Sequence, residues 1–584
     1  MYRVRSGSGL LLSVLVLAFG VVAQDSPSTS PAPTDSKSTT PAASPQSDGG
    51  APASTLTLDY VLDRVVEREH LFMAQMRHLH PMVETYLQDL KEDASGKTSP
   101  VKDQYFLGRL DMTDGPEDVS FTGQPGFGHR MLTKLTGLYS LRYLPLGFAQ
   151  MVVIDSDFQK RYYKFNLVGR EFLGDIRCFV IDVQPREGQK TARFLGRVWV
   201  EDQDYNIVRF NGSYYPQPRA NFFFHFDSWR LNMRPGIWLP AYVYVEESNV
   251  KAGLMKTGHF KAQTRLWGYD LKGLNKGQEF TQILVDSPES VKDQSEVAAD
   301  ANPVMAQRMW EKQAEDNAID RLQKIGLLAP PGEVDKIMAT VVNNLLVTNK
   351  IDLQSDYRCR VLLTSPLESF TIGHTIVVSR GLLDVLPDEA SLAMVLAHEL
   401  SHIVLGHPFD TKLAFNDKLF FPDEQSFQRL DFKRTAATEE AADEKALELL
   451  KNSPYKDKLG NAGLFLKALQ QKAPDLPNLI RPHLGNGVAG GKNTRMSTLL
   501  ASAPELDPKR LDQIAALPLG GRIKVDPWTD TTEMSKAKPV ALTSEREKME
   551  FEITPFYPHL TRMPTGATQR MAIRAESAGE NSPK

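Results

Sequence analysis

The stretch VLAHELSHIVLGH, Val395–His407, decides how this chain is read. Asp388 precedes it and is placed to cap a helix. Leu392, Leu396, Leu400, Ile403 and Val404 recur at helical spacing and form an apolar face, and Gly406 with Pro408 ends the pattern. Such a helix is built for burial, where unpaired polar groups are costly. Yet it carries His398, Glu399, His402 and His407. His398 and His402 are four residues apart, so their imidazoles lie one turn apart on one face, within reach of a single Zn²⁺. Glu399, beside the first histidine, is placed to act as the base. His407 lies nine residues after His398 and points off that face.

A zinc site of this type needs a third protein ligand. The extended motif with a glycine three and a histidine six residues after the second ligand is excluded, because Leu405 and Pro408 stand there. A carboxylate from a second helix is the other common solution, and Glu439-Glu440-Ala441-Ala442-Asp443 offers one. From the residues alone, both glutamates remain open.

IVVSRGLLDVLPDEASLAMVLAHELSHIVLGH, 376–407, followed by EEAADEKA, 439–446, is similar to the zinc peptidase family of HtpX and the CAAX prenyl endopeptidases. That family runs from a strand through a Gly-Leu-Leu turn to the histidine helix, and then to a helix with Glu-x-x-x-Asp. The resemblance spans about residues 335–452. It implies a zinc metalloendopeptidase of gluzincin type, with His398, His402 and Glu439 as ligands of one Zn²⁺ and Glu399 as base. Asp443 matches the motif's last carboxylate and would orient a ligand histidine. The family also supplies an oxyanion donor from beyond the glutamate helix; His483, in RPHLGNG, is the candidate. The strand around His374–Ser379 is expected to bind an extended peptide by edge pairing. The chain departs from the family in lacking membrane helices, which disfavours prenylated substrates and brings it nearer to soluble periplasmic members. It also has Glu368-Ser369-Phe370 where the family often has Asn-Ala-Phe.

Upstream, residues 56–91 begin with a helical pattern through Leu58, Val61, Leu62, Val65 and Val66, with Asp59 as a possible cap. His70, His78 and His80 lie there without a carboxylate pattern and read as surface or packing residues. From about residue 100 to 290 the period changes to two, with turns at Arg186-Glu187-Gly188, Asp202-Gln203-Asp204 and Arg234-Pro235-Gly236. FLGRVWVEDQDYNIVRFNG, 194–212, and FHFDSWRLNMRPGIWLPAYVYVEE, 224–247, resemble the LolA-type outer-membrane lipoprotein-sorting fold. That likeness covers roughly residues 57–270. It implies a curved half-barrel of strands on helices, with a binding surface for a lipoprotein or outer-membrane protein and no chemistry of its own.

The first residues, MYRVRSGSGLLLSVLVLAFGVVAQ, read as a secretory signal with cleavage after Ala23, so the mature chain is expected to be exported, periplasmic or extracellular. No later run is long enough to span a membrane. Hydrophobic content of 41%, charged content of 24% and a net charge of −4 are ordinary for a globular protein and give no basic surface for nucleic acid. Two cysteines, Cys178 and Cys359, exclude a disulfide scaffold and read as buried thiols.

The expected layout is a signal peptide at 1–23, a Pro/Ser/Thr-rich disordered linker at 24–55, and a LolA-like β-domain at 56–275. A polar connector at 276–300, a zinc metallopeptidase domain at 301–565 and a disordered tail at 566–584 follow. The fold class is α+β and multidomain: an antiparallel half-barrel with a long N-terminal helix, then a mostly helical zincin-type domain. The two domains are expected to fold separately. LDPKRLDQIAAL, 506–517, reads as a helix, and GGRIKVDPW, 520–528, and MEFEITPFYPHL, 549–560, as extended packing segments. The expected function is a secreted or periplasmic zinc endopeptidase acting on protein or peptide substrates in envelope quality control. The alternative is a lipoprotein- or lipid-binding chaperone with a silent peptidase domain.

Overall fold

The period-two segments fold as ten strands of one open antiparallel sheet: β1 (Met82–Glu92), β2 (Thr98–Asp111), β3 (Glu117–Ser120), β4 (Tyr163–Leu173), β5 (Ile176–Pro185), β6 (Arg193–Glu201), β7 (Ile207–Tyr215), β8 (Phe226–Arg234), β9 (Ile237–Val250) and β10 (Gly258–Trp267). Their order is β3-β2-β1-β10-β9-β8-β7-β6-β5-β4. The computed structural model describes residues 57–564 except 93–95, 97, 114–116, 121–150, 156, 189–190, 217–223, 251–257, 272–302, 354, 409–429, 489–495, 508–509, 511–512, 514 and 536–550. The expected signal peptide, linker, connector and tail lie outside the described residues.

The first helix, α1 (Leu58–Met76), is capped by the side chain of Thr57 rather than Asp59, which sits in the first turn. It stops before Pro81, and the residues after that proline form β1, buried on both faces over its first seven residues. Val61, Leu62, Val65, Phe72 and Met76 pack α1 onto one face of the sheet, whose Phe194, Phe210 and Phe226 are buried core. A buried bidentate pair fixes α1 on that face: Arg230 Nη1 and Nη2 donate to Glu69 Oε1 and Oε2 at 2.6 and 3.0 Å. The other face carries Trp199, Trp229, Trp238 and Tyr242 and is covered by Phe556 and Leu560. Cys178 and Cys359 are both free and buried.

The second half begins with α2 (Pro303–Ile325) and α3 (Glu333–Thr348). A small sheet of β11 (Arg358–Leu362), β12 (Glu368–Ile372) and β13 (Thr375–Ser379) leads to α4 (Arg380–Val385) and α5 (Glu389–Val404). Then come α6 (Ala436–Lys451), α7 (Leu459–Lys472), α8 (Pro477–Ile480), β14 (Asn486–Gly487), α9 (Ser497–Ser502), β15 (Ile523–Val525) and β16 (Thr532–Met534). The small sheet has the order β11-β13-β12-β14. The peptide-pairing edge expected at His374–Ser379 is therefore corrected: β13 has a strand on each side. β12 is the strand with a partly open side, because β14 pairs only with Glu368 and Ser369. The Gly-Leu-Leu turn has a steric cause. A Cβ on Gly381 would lie 1.7 Å from the Ser365 carbonyl oxygen.

The helix expected at 506–517 is also corrected. Its described residues form only i→i+3 turns, Arg510 N–H to Asp507 O and Gln513 N–H to Arg510 O, and the Leu517 N–H instead donates to Val385 O. A tertiary hydrogen bond thus outcompetes a weak local preference.

The two halves share a core. Met82, Tyr86, Leu107 and Trp267 of the large sheet belong to the same buried cluster as Leu327, Leu363 and Leu479. Buried polar groups cross the same boundary. Glu84 accepts from the Ser365 N–H at 2.6 Å and the Ser365 hydroxyl at 2.8 Å, and Asp103 from the Leu479 N–H at 2.7 Å. Gln88 bonds both Phe551 O and the Ile553 N–H. By its contacts, Leu56–Lys584 is one compact unit. The expectation of two separately folding parts is thereby corrected. Splitting the chain would expose this shared apolar core and remove the bonds of Glu84, Gln88 and Asp103 to Ser365, Phe551, Ile553 and Leu479. Fragments 56–275 and 296–584 are expected to be insoluble or molten apart, and the intact chain to melt in one transition by near-UV circular dichroism. A cooperative melt of isolated 56–275 would contradict this.

Candidate metal centre

α5 forms as its sequence dictates. The extended Asp388 accepts the Ser391 N–H at 2.9 Å and the Ser391 hydroxyl at 2.7 Å, and every residue from Ala390 to Ile403 is buried. Leu405 caps the end, and Gly406 turns the chain at φ +66°. His398 and His402 emerge on one face with their Nε2 atoms 3.2 Å apart.

α6 brings the carboxylate. Thr435 caps it by accepting the Thr438 N–H, which puts Glu439 in the first turn. Glu439 Oε2 lies 3.3 Å from His398 Nε2, and Oε1 lies 3.4 Å from His402 Nε2. Among the described residues, His398, His402 and Glu439 are the group able to hold a metal ion, with donor atoms within 4.8 Å of one another. Glu440 is exposed and outside the group. One turn after Glu439, Asp443 Oδ1 lies 2.7 Å from His398 Nδ1, and its Oδ2 accepts the Met496 N–H at 2.6 Å.

The donor set fits zinc. A tetrahedral ion about 2.0–2.1 Å from each donor needs those donors roughly 3.3–3.4 Å apart; the two Nε2 atoms are 3.2 Å apart, and the Glu439 carboxylate faces them with Oε2 3.3 Å from His398 Nε2 and Oε1 3.4 Å from His402 Nε2. Asp443, as a carboxylate, accepts a hydrogen bond from Nδ1–H of His398 and so leaves the Nε2 lone pair facing the site. His407 Nδ1 lies 2.8 Å from His402 Nδ1 and can serve the second ligand likewise. Burial pulls the His402 imidazole below its usual range, against the opposing pull of Glu439, which favours the neutral ligand form.

Glu399 points into the same cleft. Its Oε1 accepts the Ser369 hydroxyl and its Oε2 the Thr371 hydroxyl, both at 2.7 Å. These donors alternate along β12, so both face α5. The cleft is lined by Ser369, Thr371, Glu399, His402, Arg434, Glu439 and Asn486, with Phe370 and Phe432 stacked at 4.9 Å beside it. Its volume of about 10 Å³ is about enough for one water molecule. Arg434 stands just before the cap of α6. It donates to His407 O at 3.2 Å, Pro408 O at 2.7 Å and Thr371 O at 3.2 Å.

The expected oxyanion donor, His483, is corrected. Its ring does not line the cleft but stacks on Tyr105 of β2 at 5.2 Å, while its N–H and that of Leu484 are held by Glu368 Oε2. The RPHLGNG segment serves the site through Asn486, which accepts the Arg434 N–H at 3.1 Å. Arg434, Ser369, Thr371 and Asn486 escaped the motif search. One signal for Arg434 was present: a cation just before a helix N-terminus opposes the helix dipole and needs another reason to be there.

Residues 334–418 match the model of Peptidase family M48. No curated protein matches the chain. Among solved structures, a DUF1329 family protein from Desulfovibrio piger is similar at 14% identity, covering 36% of this chain and 93% of that one, with a TM-score of 0.18. An outer membrane lipoprotein-sorting protein domain from Vibrio parahaemolyticus shares 12% identity over 37% of this chain and 98% of its own, with a TM-score of 0.21. A LolA superfamily protein from Nitrosomonas europaea shares 10% over 36% and 92%, with a TM-score of 0.18. No helix of the described residues is long and apolar enough to cross a membrane. The segment holding both histidines of the motif is thus similar to Peptidase family M48, in agreement with the resemblance carried by AHELSH.

Proposed function

We propose that this protein is an exported zinc endopeptidase that hydrolyses peptide bonds of protein substrates, with a role in envelope protein quality control. The observation that carries the reading is the convergence of His398 Nε2, His402 Nε2 and the Glu439 carboxylate within 4.8 Å of one another, with Glu399 beside them in one cleft. His398, His402 and Glu439 would hold the ion; Asp443 and His407 hold the two imidazoles in the tautomer that presents Nε2. Bound Zn²⁺ supplies Lewis-acid polarisation of a carbonyl and a hydroxide-forming water.

The chain's own groups do the rest. Glu399 takes the proton of the attacking water at a carboxylate oxygen and returns it to the departing amine. Ser369 and Thr371 hold that carboxylate by one hydroxyl each. Arg434, the cation of the cleft, replaces His483 as the group for the developing oxyanion, with Asn486 fixing its backbone. β14 leaves Phe370–Ile372 of β12 without a strand partner, and an extended substrate can lie there by displacing Arg434 from the Thr371 carbonyl. The alternative of a silent peptidase domain is disfavoured because the base is present and directed into the cleft.

Gently purified protein is expected to contain about one zinc per chain, and His398→Ala or His402→Ala to remove it. Elemental analysis and casein digestion are the measurements. Absence of any transition metal, with no uptake of added zinc, would refute the assignment.

A further inference from the structure

On the face of the large sheet opposite α1, strands β8, β9 and β10, the β15–β16 hairpin and the segment after Phe551 line an open-mouthed cavity of about 260 Å³. None of its lining residues borders the metal cleft. Four aromatic rings, Trp267, Trp528, Tyr242 and Phe556, line it.

Its floor holds two buried arginines, Arg265 at 8% and Arg380 at 5% exposure. Each guanidinium has five N–H donors, and buried donors are normally satisfied. Among the described residues, Arg265 makes one hydrogen bond, from Nη2 to Gln263 Oε1 at 3.4 Å. Arg380 likewise makes one, from Nη2 to Glu84 Oε2 at 3.4 Å, and its buried Nε has no partner. Glu84 is already held more tightly by Ser365 and by the Tyr105 hydroxyl at 2.9 Å. The neighbouring Asp384 accepts the N–H groups of Arg522 and Ile523 at Oδ1, its Oδ2 has no hydrogen-bond partner, and burial pushes its carboxyl up against the opposing pulls of Arg265 and Arg380. Burial, then repulsion from Arg265, brings the Arg380 guanidinium down to about 10. Among the described residues Arg265 forms no ion pair, Arg380 forms one, with Glu84 at 3.4 Å, and the lining carboxylates Asp526 and Glu533 make none with either guanidinium.

We propose that this cavity binds a small-molecule carboxylate with a compact apolar body, the anion received by Arg265 and Arg380 and the body by the four rings. Its size, just under the ~300–1,000 Å³ of ordinary ligand pockets, favours a compact ligand. A polypeptide would need main-chain partners, and β8, β9 and β10 are each paired on both sides.

Calorimetric titration of the full-length protein with 1-naphthoate tests this, followed in parallel by tryptophan fluorescence. One saturable site is expected, with binding of the neutral 1-naphthalenemethanol weaker by on the order of tenfold, the value of about one charge-assisted hydrogen bond. Arg265→Met and Arg380→Met are each expected to weaken naphthoate by a similar factor. Should these buried changes lose the cooperative melt, Lys524→Glu and Trp528→Ala at the rim keep the test open. Both are expected to weaken naphthoate by several-fold without altering the melt. The proposal is overturned if the alcohol binds as tightly as the acid, if the rim variants bind unchanged, or if acetate competes at equal concentration. A peptide ending in phenylalanine that binds more than tenfold tighter than naphthoate would reassign the cavity to polypeptide C-termini and likewise overturn it.

Discussion

Glu399→Gln is expected to lower peptide hydrolysis by roughly 10²–10⁴-fold, the contribution typical of a positioned general base, while zinc content and fold stay as in the wild type. Glutamine keeps the shape of the side chain and leaves His398, His402 and Glu439 in place. It cannot take a proton at neutral pH. The two hydroxyls that bond Glu399 make the change structurally mild. Ser369 and Thr371 now donate at 2.7 Å each, and a hydroxyl facing the new amide N–H can turn to accept instead. Ser369→Ala and Thr371→Val should each reduce turnover less than Glu399→Gln, because they loosen the base without removing it. Turnover of a labelled peptide, measured beside zinc by elemental analysis, separates the cases. Near-wild-type turnover in Glu399→Gln would mean that another group takes the proton.

The parts of this site that could be read from the sequence are those whose geometry is local. His398 and His402 lie one helical turn apart, as do Glu439 and Asp443, so spacing alone brings each pair to one face. Arg434, Ser369, Thr371 and Asn486 reach the cleft through the pairing of β12 with β14 and the docking of α6, which no short window encodes. His483 misled for the same reason. It sits near the right point in the chain, but the backbone bonds to Glu368 turn its ring toward Tyr105.

The large sheet was legible in its alternation, and its burial was not. The change of period near residue 270 resembles a domain boundary, yet the bonds that join the halves link residues far apart, such as Glu84 with Ser365, 281 positions away. The helical pattern of 506–517 failed where the Leu517 N–H had a tertiary acceptor, Val385 O.

Glu439→Ala is expected to strip zinc from the protein, Glu440→Ala to leave it bound, and Asp443→Ala to fall between. Glu439 and Glu440 are neighbours, about 100° apart around α6, so only one can face α5. The oxygens of Glu439 stand 3.3 and 3.4 Å from the two Nε2 atoms, whereas Glu440 is exposed. Removing Glu439 leaves two imidazoles, too few for a stable tetrahedral site. Asp443 does not touch the ion position. It acts through His398, whose Nδ1 lies 2.7 Å away, and a lost partner of that type typically costs 10–100-fold in metal affinity. Asp443→Asn keeps an acceptor for Nδ1 and is expected to recover part of that loss, which separates orientation of the histidine from a merely structural role at Met496. Competitive zinc titration against a chromophoric chelator ranks the variants. If Glu440→Ala is the change that releases the metal, α6 presents the other glutamate in solution and the ligand set proposed here is wrong.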